Sequence, residues 1–241
     1  MRGNSRIKAV VVAVPARNEQ DRIADCIQSI RVARGQLGRG LHVVVSIAVD
    51  SSTDATAALV SSAAGRDPSV LGIAGSWGSA GGSRRAAVAS GLSWVSRSSL
   101  VCSGQTWIAT TDADSQVPVD WLTQQVRLAN RGLDAVAGTV ALAVDADLTD
   151  ELSCLFDRNY RVEATTHHHV HGANMGLRAN AYLAAGGFPE VERSEDRQLW
   201  NAVVDRGFRV ISPPHLRVET SGRLKGRVAG GFADAMATVW A

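Results

Sequence analysis

Thr106-Trp107-Ile108-Ala109-Thr110-Thr111, followed at once by Asp112-Ala113-Asp114-Ser115, decides how this chain of 241 residues folds. The first six residues, β-branched, aromatic or apolar, read as a strand. Residues 117–130 read as the helix behind it, with Pro118 in the first turn, where its missing N–H costs nothing. Toward the N-terminus the alternation repeats. Residues 7–14 and 41–49 are near-continuous apolar runs. Ile23, Cys26, Ile27 and Ile30 stand at helical spacing within residues 18–32, and Ser51-Ser52-Thr53-Asp54 brings N-cap chemistry to an Ala-rich helix over 51–64. A short strand at 70–74 and a glycine-entered helix at 81–95 complete the set. Strands apolar along their whole length need both faces covered, as in βαβ units around a parallel sheet. The expectation is an α/β fold, a three-layer α/β/α sandwich with a mostly parallel central sheet.

Beyond residue 133 the rhythm changes. Residues 134–144 read as one long strand and 148–164 as a helix. A His-rich stretch follows at 165–174. A short helix at 179–185 is stopped by Gly186-Gly187, and a longer one at 194–206 opens on Ser-Glu-Asp. Short strands at 208–211 and 216–220 precede a last amphipathic helix at 226–240. No repeat, low-complexity tract or linker divides the chain, so a single domain over 1–241 is expected.

Composition removes several classes of function. Twenty-five basic and 23 acidic residues leave a net charge of +2, with no basic field for nucleic acid. Cys26, Cys102 and Cys154 are odd in number and form no CxxC pair, which argues against a disulfide framework or zinc ribbon and for a reducing cytoplasm. No apolar stretch approaches the roughly 20 residues of a membrane helix. Only Lys8 and Lys225 are lysines, which favours the fixed, bidentate fork of arginine wherever a side-chain cation meets phosphate.

Asp112 and Asp114 lie at the carboxyl end of an expected parallel strand, where such sheets bind their ligands. Two residues apart on extended backbone, both carboxylates face one side. Oxygen donors of this kind suit Mg²⁺ or Mn²⁺, which would in turn hold a diphosphate. The plainer reading is that Asp112 closes a turn and Asp114 caps the next helix.

Further motifs stand in order around this pair: Val14-Pro15-Ala16-Arg17-Asn18-Glu19 after the first strand, Val49-Asp50-Ser51-Ser52-Thr53-Asp54 after the second, and Gly82-Ser83-Arg84-Arg85-Ala86 opening the third helix. Gly172-Ala173-Asn174-Met175-Gly176, Gly186-Gly187-Phe188-Pro189 and Ser194-Glu195-Asp196 follow. In order and spacing the chain resembles the family 2 glycosyltransferases of GT-A fold, small soluble bacterial members in particular, over residues 7–212. The resemblance implies an inverting transfer of one sugar from a nucleotide diphosphate-sugar, a UDP- or GDP-sugar, to the hydroxyl of a small-molecule or lipid-linked acceptor, with Mg²⁺ or Mn²⁺. It implies a nucleotide-binding half at 1–131 and an acceptor-binding half at 132–241. Pro15, Ala16, Arg17 and Glu19 would surround base and ribose, Asp50 would accept from the base, and Arg85 would lie near base or phosphates. Asp112 would touch ribose or metal, Asp114 would be the main metal ligand, and Asp196, or its neighbour Glu195, the general base.

Two departures from the family pattern bear on this. Asp50 stands alone where relatives carry paired acids, and the Gln-x-x-Arg-Trp signature of processive, membrane-bound relatives is missing. Of the crowded His167, His168, His169 and His171, three adjacent side chains cannot face one ion. His171, with Gly172 and Asn174, is expected toward the acceptor or diphosphate. His215 is a candidate third metal ligand. Arg223, with Lys225 and Arg227, is a candidate lid over the diphosphate, and the last helix offers an apolar face to the core, a second copy or a membrane. Two competing readings are a nucleotidyltransferase, which would need a Gly-rich phosphate loop where Pro15-Ala16-Arg17-Asn18 stands, and a non-catalytic nucleotide-sugar-binding protein.

Overall fold

The computed structural model describes residues 5–143, 156, 158 and 160–222. Strands β1 (Ala9–Ala16), β2 (His42–Asp50), β3 (Val70–Gly75) and β4 (Thr106–Thr110) alternate with helices α1 (Ile23–Gly35), α2 (Thr56–Arg66), α3 (Ala80–Ser98) and α4 (Trp121–Asn130). The second half adds β5 (Ser115–Gln116), β6 (Ala135–Ala137), β7 (Thr139–Ala143), β8 (Met175–Arg178), α5 (Ala179–Ala184), α6 (Glu195–Asp205), β9 (Val210–Ile211) and β10 (Arg217–Ser221). The main sheet runs β3-β2-β1-β4-β8-β6-β9. All of its described strands share one direction except β8, which lies antiparallel to both β4 and β6. The expected mostly parallel α/β sandwich is what forms.

Strand periodicity sorts the core into layers. Val10, Val12 and Val14 of β1 and Trp107 of β4 pack with Ile23, Ile30, Trp121 and Leu122 of α1 and α4. The alternate residues Ala13 and Ile108 face Val88 of α3 and Phe188, Leu199 and Val203 on the other side. These side chains are almost wholly withdrawn from water, each one larger than alanine contributing on the order of 2 kcal/mol by burial.

Two helices begin later than their polar N-terminal residues suggest. Asn18 and Ser51 adopt positive φ (52° and 47°), which ends helical geometry before α1 and α2 can start there. Their neighbours stitch the β1–α1 and β2–α2 loops together instead. Asn18 Oδ1 accepts from the Thr53 N–H (2.8 Å), Gln20 Oε1 from the Ala55 N–H (3.0 Å), and Asp54 Oδ2 from the Gln20 N–H (3.1 Å). Short polar side chains compete for backbone groups in this way.

The single strand expected over 134–144 is two strands. Gly138 separates β6, in the main sheet, from β7, which joins a small sheet of order β5-β10-β7. A Cβ at Gly138 would lie 2.6 Å from Asn174 Cγ, so only glycine lets the chain cross here. The helix expected over 148–164 is described only from residue 156 onward: Phe156 and Arg158 are helical and residues 160–164 are irregular. The helix expected at 226–240 and Arg223, Lys225 and Arg227 lie outside the described residues.

Candidate active site

The order β2-β1-β4 brings three carboxyl ends side by side, with Ala16 opposite Val49 and Ala13 opposite Thr110. Pro15 and Ala16, Asp50, and Thr111-Asp112 therefore form one edge. Pro15 is half-buried, Ala16 buried and Arg17 exposed, while Glu19 is buried with its N–H donating to Thr56 Oγ1 (2.7 Å). Asp50 is buried and turned into the protein, Oδ1 accepting from the Trp77 N–H (2.9 Å) and Oδ2 from the Ser83 hydroxyl (3.0 Å). It thereby fixes the loop that leads into α3.

Ala113 is sunk in the core, and this anchors the half-buried Asp112 and Asp114 on either side of it at the rim. Beneath them the Cys26 thiol donates to the Asp112 carbonyl (3.3 Å). Burial, with the nearby carboxylates of Asp114, Asp112 and Glu19, pushes that thiol well above its ordinary range, so Cys26 is an inert neutral support. Asp114 Oδ1 lies 3.4 Å from the Thr220 hydroxyl, and Thr220 also pairs with Ser115 in the small sheet. Asp114 is thus held from β10 rather than acting as a simple helix cap.

The centre of the site is a cation the sequence did not single out. Arg84, only 3% exposed, donates through Nη2 to Asp112 Oδ1 (2.6 Å) and through Nη1 to Glu195 Oε1. Its guanidinium lies over the Phe188 ring (5.3 Å to the centroid) and is covered on another side by Gly172. Asp112 and Glu195 raise its affinity for its proton further, although burial opposes this. Arg85 is elsewhere. Half-exposed, it donates to the carbonyls of Gly186 (3.2 Å) and Phe188 (3.0 Å). A signal for Arg84 was present: Arg84, Ala87, Val88, Gly91 and Val95 form the buried stripe of α3, and Arg85 stands one position off it.

Glu195 and Asp196 differ for the same reason. Glu195 shares the buried face of α6 with Leu199 and Val203 and is spent on Arg84. Asp196 Oδ2 accepts from the Gly172 N–H (2.9 Å), and Oδ1 from the Arg197 N–H (2.6 Å). Burial, and then the Glu195 charge, raise the Asp196 carboxyl above its usual range, against the pull of Arg84 and the two N–H donors. Ser194, which precedes the helix, is left-handed (φ 58°) and makes no side-chain cap bond.

Extended backbone places His167, His169 and His171 on one face in a stacked row that continues through Tyr160, whose ring lies 3.9 Å from His169 centroid to centroid. His171 Nε2 meets the Tyr160 hydroxyl at 3.0 Å. Burial, then the neighbouring His169, His167 and Arg197, lower the His171 pKa to about 3, so it is neutral at physiological pH. It adjoins Gly172 and hence Asp196.

Two expected site residues are elsewhere. Asn174 is fully buried and cannot face an acceptor: Nδ2 donates to the Thr139 and Leu216 carbonyls (2.8 Å each) and Oδ1 accepts from Trp121 Nε1 (2.9 Å). It joins the two sheets. His215 is exposed on the turn before β10. Asp114 sits near Thr220, five residues further along extended chain, a separation of roughly 16 Å. His215 therefore does not join Asp114 as a ligand.

Among solved structures the chain is similar to a mannosyltransferase from Pyrobaculum calidifontis in complex with GDP-Man and Mn²⁺, with TM-score 0.63 and 21% identity over 92% of this chain and 59% of that one. It is also similar to S. aureus TarS (residues 1-349) in complex with UDP-GlcNAc, with TM-score 0.65 and 15% identity over 94% and 62%. GalNAc-T7 with UDP, GalNAc and Mn²⁺ gives TM-score 0.65 and 13% identity over 91% and 45%. The chain thus spans less than two thirds of the length of each. The architecture they share with it is the GT-A fold. No curated protein sequence matches the chain. The family model for glycosyl transferase family 2 matches residues 11–184, and the chain belongs to that family.

Proposed function

We propose that this chain transfers a single sugar, with inversion, from a nucleotide diphosphate-sugar to an acceptor hydroxyl. The observation that carries this reading is the juxtaposition, around one buried guanidinium, of the Asp112–Asp114 rim and the Asp196 carboxylate. The ligands of the similar structures, GDP-Man, UDP-GlcNAc and UDP with GalNAc, support a nucleotide-sugar donor of the UDP or GDP class. We read residues 1–131 as the donor half and 132–241 as the acceptor half of one domain.

The donor set fits Mg²⁺ or Mn²⁺. Asp112 and Asp114 offer hard carboxylate oxygens at a half-buried rim, and among the described residues no third His, Cys, Asp or Glu completes an all-protein cage. A cation held by one or two carboxylates and completed by substrate phosphates and water matches that pattern. When bound, it supplies positive charge to the diphosphate as it leaves. Asp112 and Asp114 would hold it, and the Pro15–Glu19 and Asp50–Asp54 loops, stitched together, frame the nucleoside.

Asp196 takes the acceptor proton. Its raised carboxyl is a stronger base than a free aspartate, and its two N–H donors fix its aim. Glu195 is excluded from that task by its pair with Arg84. Inversion follows if the acceptor oxygen, deprotonated by Asp196, attacks C1 opposite the departing diphosphate.

The test uses UDP- and GDP-sugars with and without Mn²⁺, read by thermal shift and by nucleotide release. Binding should need Mn²⁺ and vanish in Asp114→Ala. Asp196→Asn should keep the thermal shift and lose about 10²–10⁴-fold in turnover. Because the base works unprotonated and its pKa is raised, wild-type turnover should fall on acidification from a pH above the usual aspartate range. Asp196→Asn should lack that limb. Mn²⁺-independent donor binding unaltered in Asp114→Ala would refute the assignment of the rim.

A further inference from the structure

We infer that Arg84 is a positioning residue that competes with the rim cation for Asp112 and, through Glu195 and Gly172, ties the state of the donor rim to the aim of Asp196. This rests on the reading of Asp112 and Asp114 as the cation's carboxylates.

The connection is continuous. Arg84 Nη2 holds Asp112 Oδ1 at 2.6 Å, Nη1 holds Glu195, and the peptide N–H of Gly172, packed on the guanidinium, holds Asp196 Oδ2 at 2.9 Å. The guanidinium is confined on two sides, by the Phe188 ring beneath it and by Gly172. Among the described residues its buried Nε has no hydrogen-bond partner, an uncommon cost in a native interior, so the side chain is committed to the two carboxylates rather than to its own best solvation.

Three charges then share one balance. Arg84 neutralises Asp112 and Glu195 together. Were Asp112 also to hold a divalent cation, Arg84 would share that carboxylate with a second positive charge and be repelled by it. The guanidinium then leans on Glu195, at the first turn of α6, beside Asp196. Donor loading and base alignment become one event. Desolvation offsets much of the attraction in such an ion pair, so its net stabilisation is small.

The prediction separates this role from a merely structural one by sign. Removing Arg84 should weaken catalysis while strengthening cation binding, since it frees Asp112 and deletes a positive charge next to the cation. Mn²⁺ alone is titrated into the full chain and followed by loss of the free-ion paramagnetic resonance signal. Wild type is compared with Arg84→Lys, Arg84→Met and the double variant Arg84→Met with Glu195→Gln, which leaves no unpaired buried carboxylate and keeps the test valid if the single variant does not fold. Mn²⁺ affinity should rise about tenfold in Arg84→Met or the double variant, as expected for deletion of a like charge at close range. Turnover should fall about 10²-fold through loss of alignment. Arg84→Lys should be intermediate in both. Unchanged or weaker Mn²⁺ binding in the variants overturns the inference. A wild type whose Mn²⁺ binding is absent, or survives Asp114→Ala intact, overturns instead the rim assignment on which it rests.

Discussion

Gly172→Ala adds one methyl group and should disable the site from its centre. A Cβ there would stand 2.5 and 2.6 Å from the two terminal nitrogens of Arg84. Ordinary contact is near 3.4 Å, so the guanidinium would have to retreat by about 1 Å. Phe188 blocks one direction, 5.3 Å from Arg84 Cζ to the ring centroid. A 1 Å displacement would stretch the 2.6 Å bond to Asp112 past hydrogen-bonding range. Gly172 is not among the glycines with positive φ, so the backbone tolerates alanine and the whole effect is steric. Overpacking of this kind costs about 1–3 kcal/mol, and a 1 Å misplacement near the chemistry about 10²-fold in rate. Urea denaturation and nucleotide release from the donor measure the two consequences. Gly104→Ala is the control, because a Cβ there meets nothing within 4 Å among the described residues. If Gly172→Ala matches Gly104→Ala in midpoint and rate, Arg84 is not confined as described and the coupling built on it fails.

Asn174→Ala should destabilise the fold by about 1–3 kcal/mol, because it strands the buried Trp121 indole N–H and removes the Nδ2 donor that the Thr139 and Leu216 carbonyls share, the latter keeping the Thr139 N–H. Tryptophan fluorescence during unfolding reports it, and wild-type stability would show that the two sheets are held otherwise. His171 makes stability depend on pH. Its folded pKa, about 3, lies below the unfolded value near 6.5. The unfolded chain therefore binds the proton more readily, and the contribution is complete above about pH 6.5 and lost as pH falls toward 3. Unfolding free energy should decline by up to about 1.4 kcal/mol per pH unit across that window. His171→Gln should flatten the decline, and an identical slope in that variant would remove His171 as its source.

The alternation of buried strands and amphipathic helices is a local property, since it depends on side-chain spacing within ten or so residues. For that reason β1 to β4 and α1 to α4 were legible, as was the edge that carries Asp112 and Asp114. What escaped was non-local. Gly138 breaks a uniformly apolar run because Asn174 and Leu216, distant in sequence, pass too close for a side chain. Asn174 and His215 have residue types suited to a site, yet one is used between sheets and the other faces solvent at the far end of β10.

The sequence alone determined a mostly parallel α/β fold with a carboxylate pair at the carboxyl edge of its strands, because strand periodicity and the strand-to-helix turn place those residues without reference to distant ones. Only the tertiary structure decided between Arg84 and Arg85, and between Glu195 and Asp196. Adjacent residues on a helix point about 100° apart, so packing selects one for the interior. Here it buried Arg84 with Glu195 and left Asp196 to accept from the Gly172 N–H.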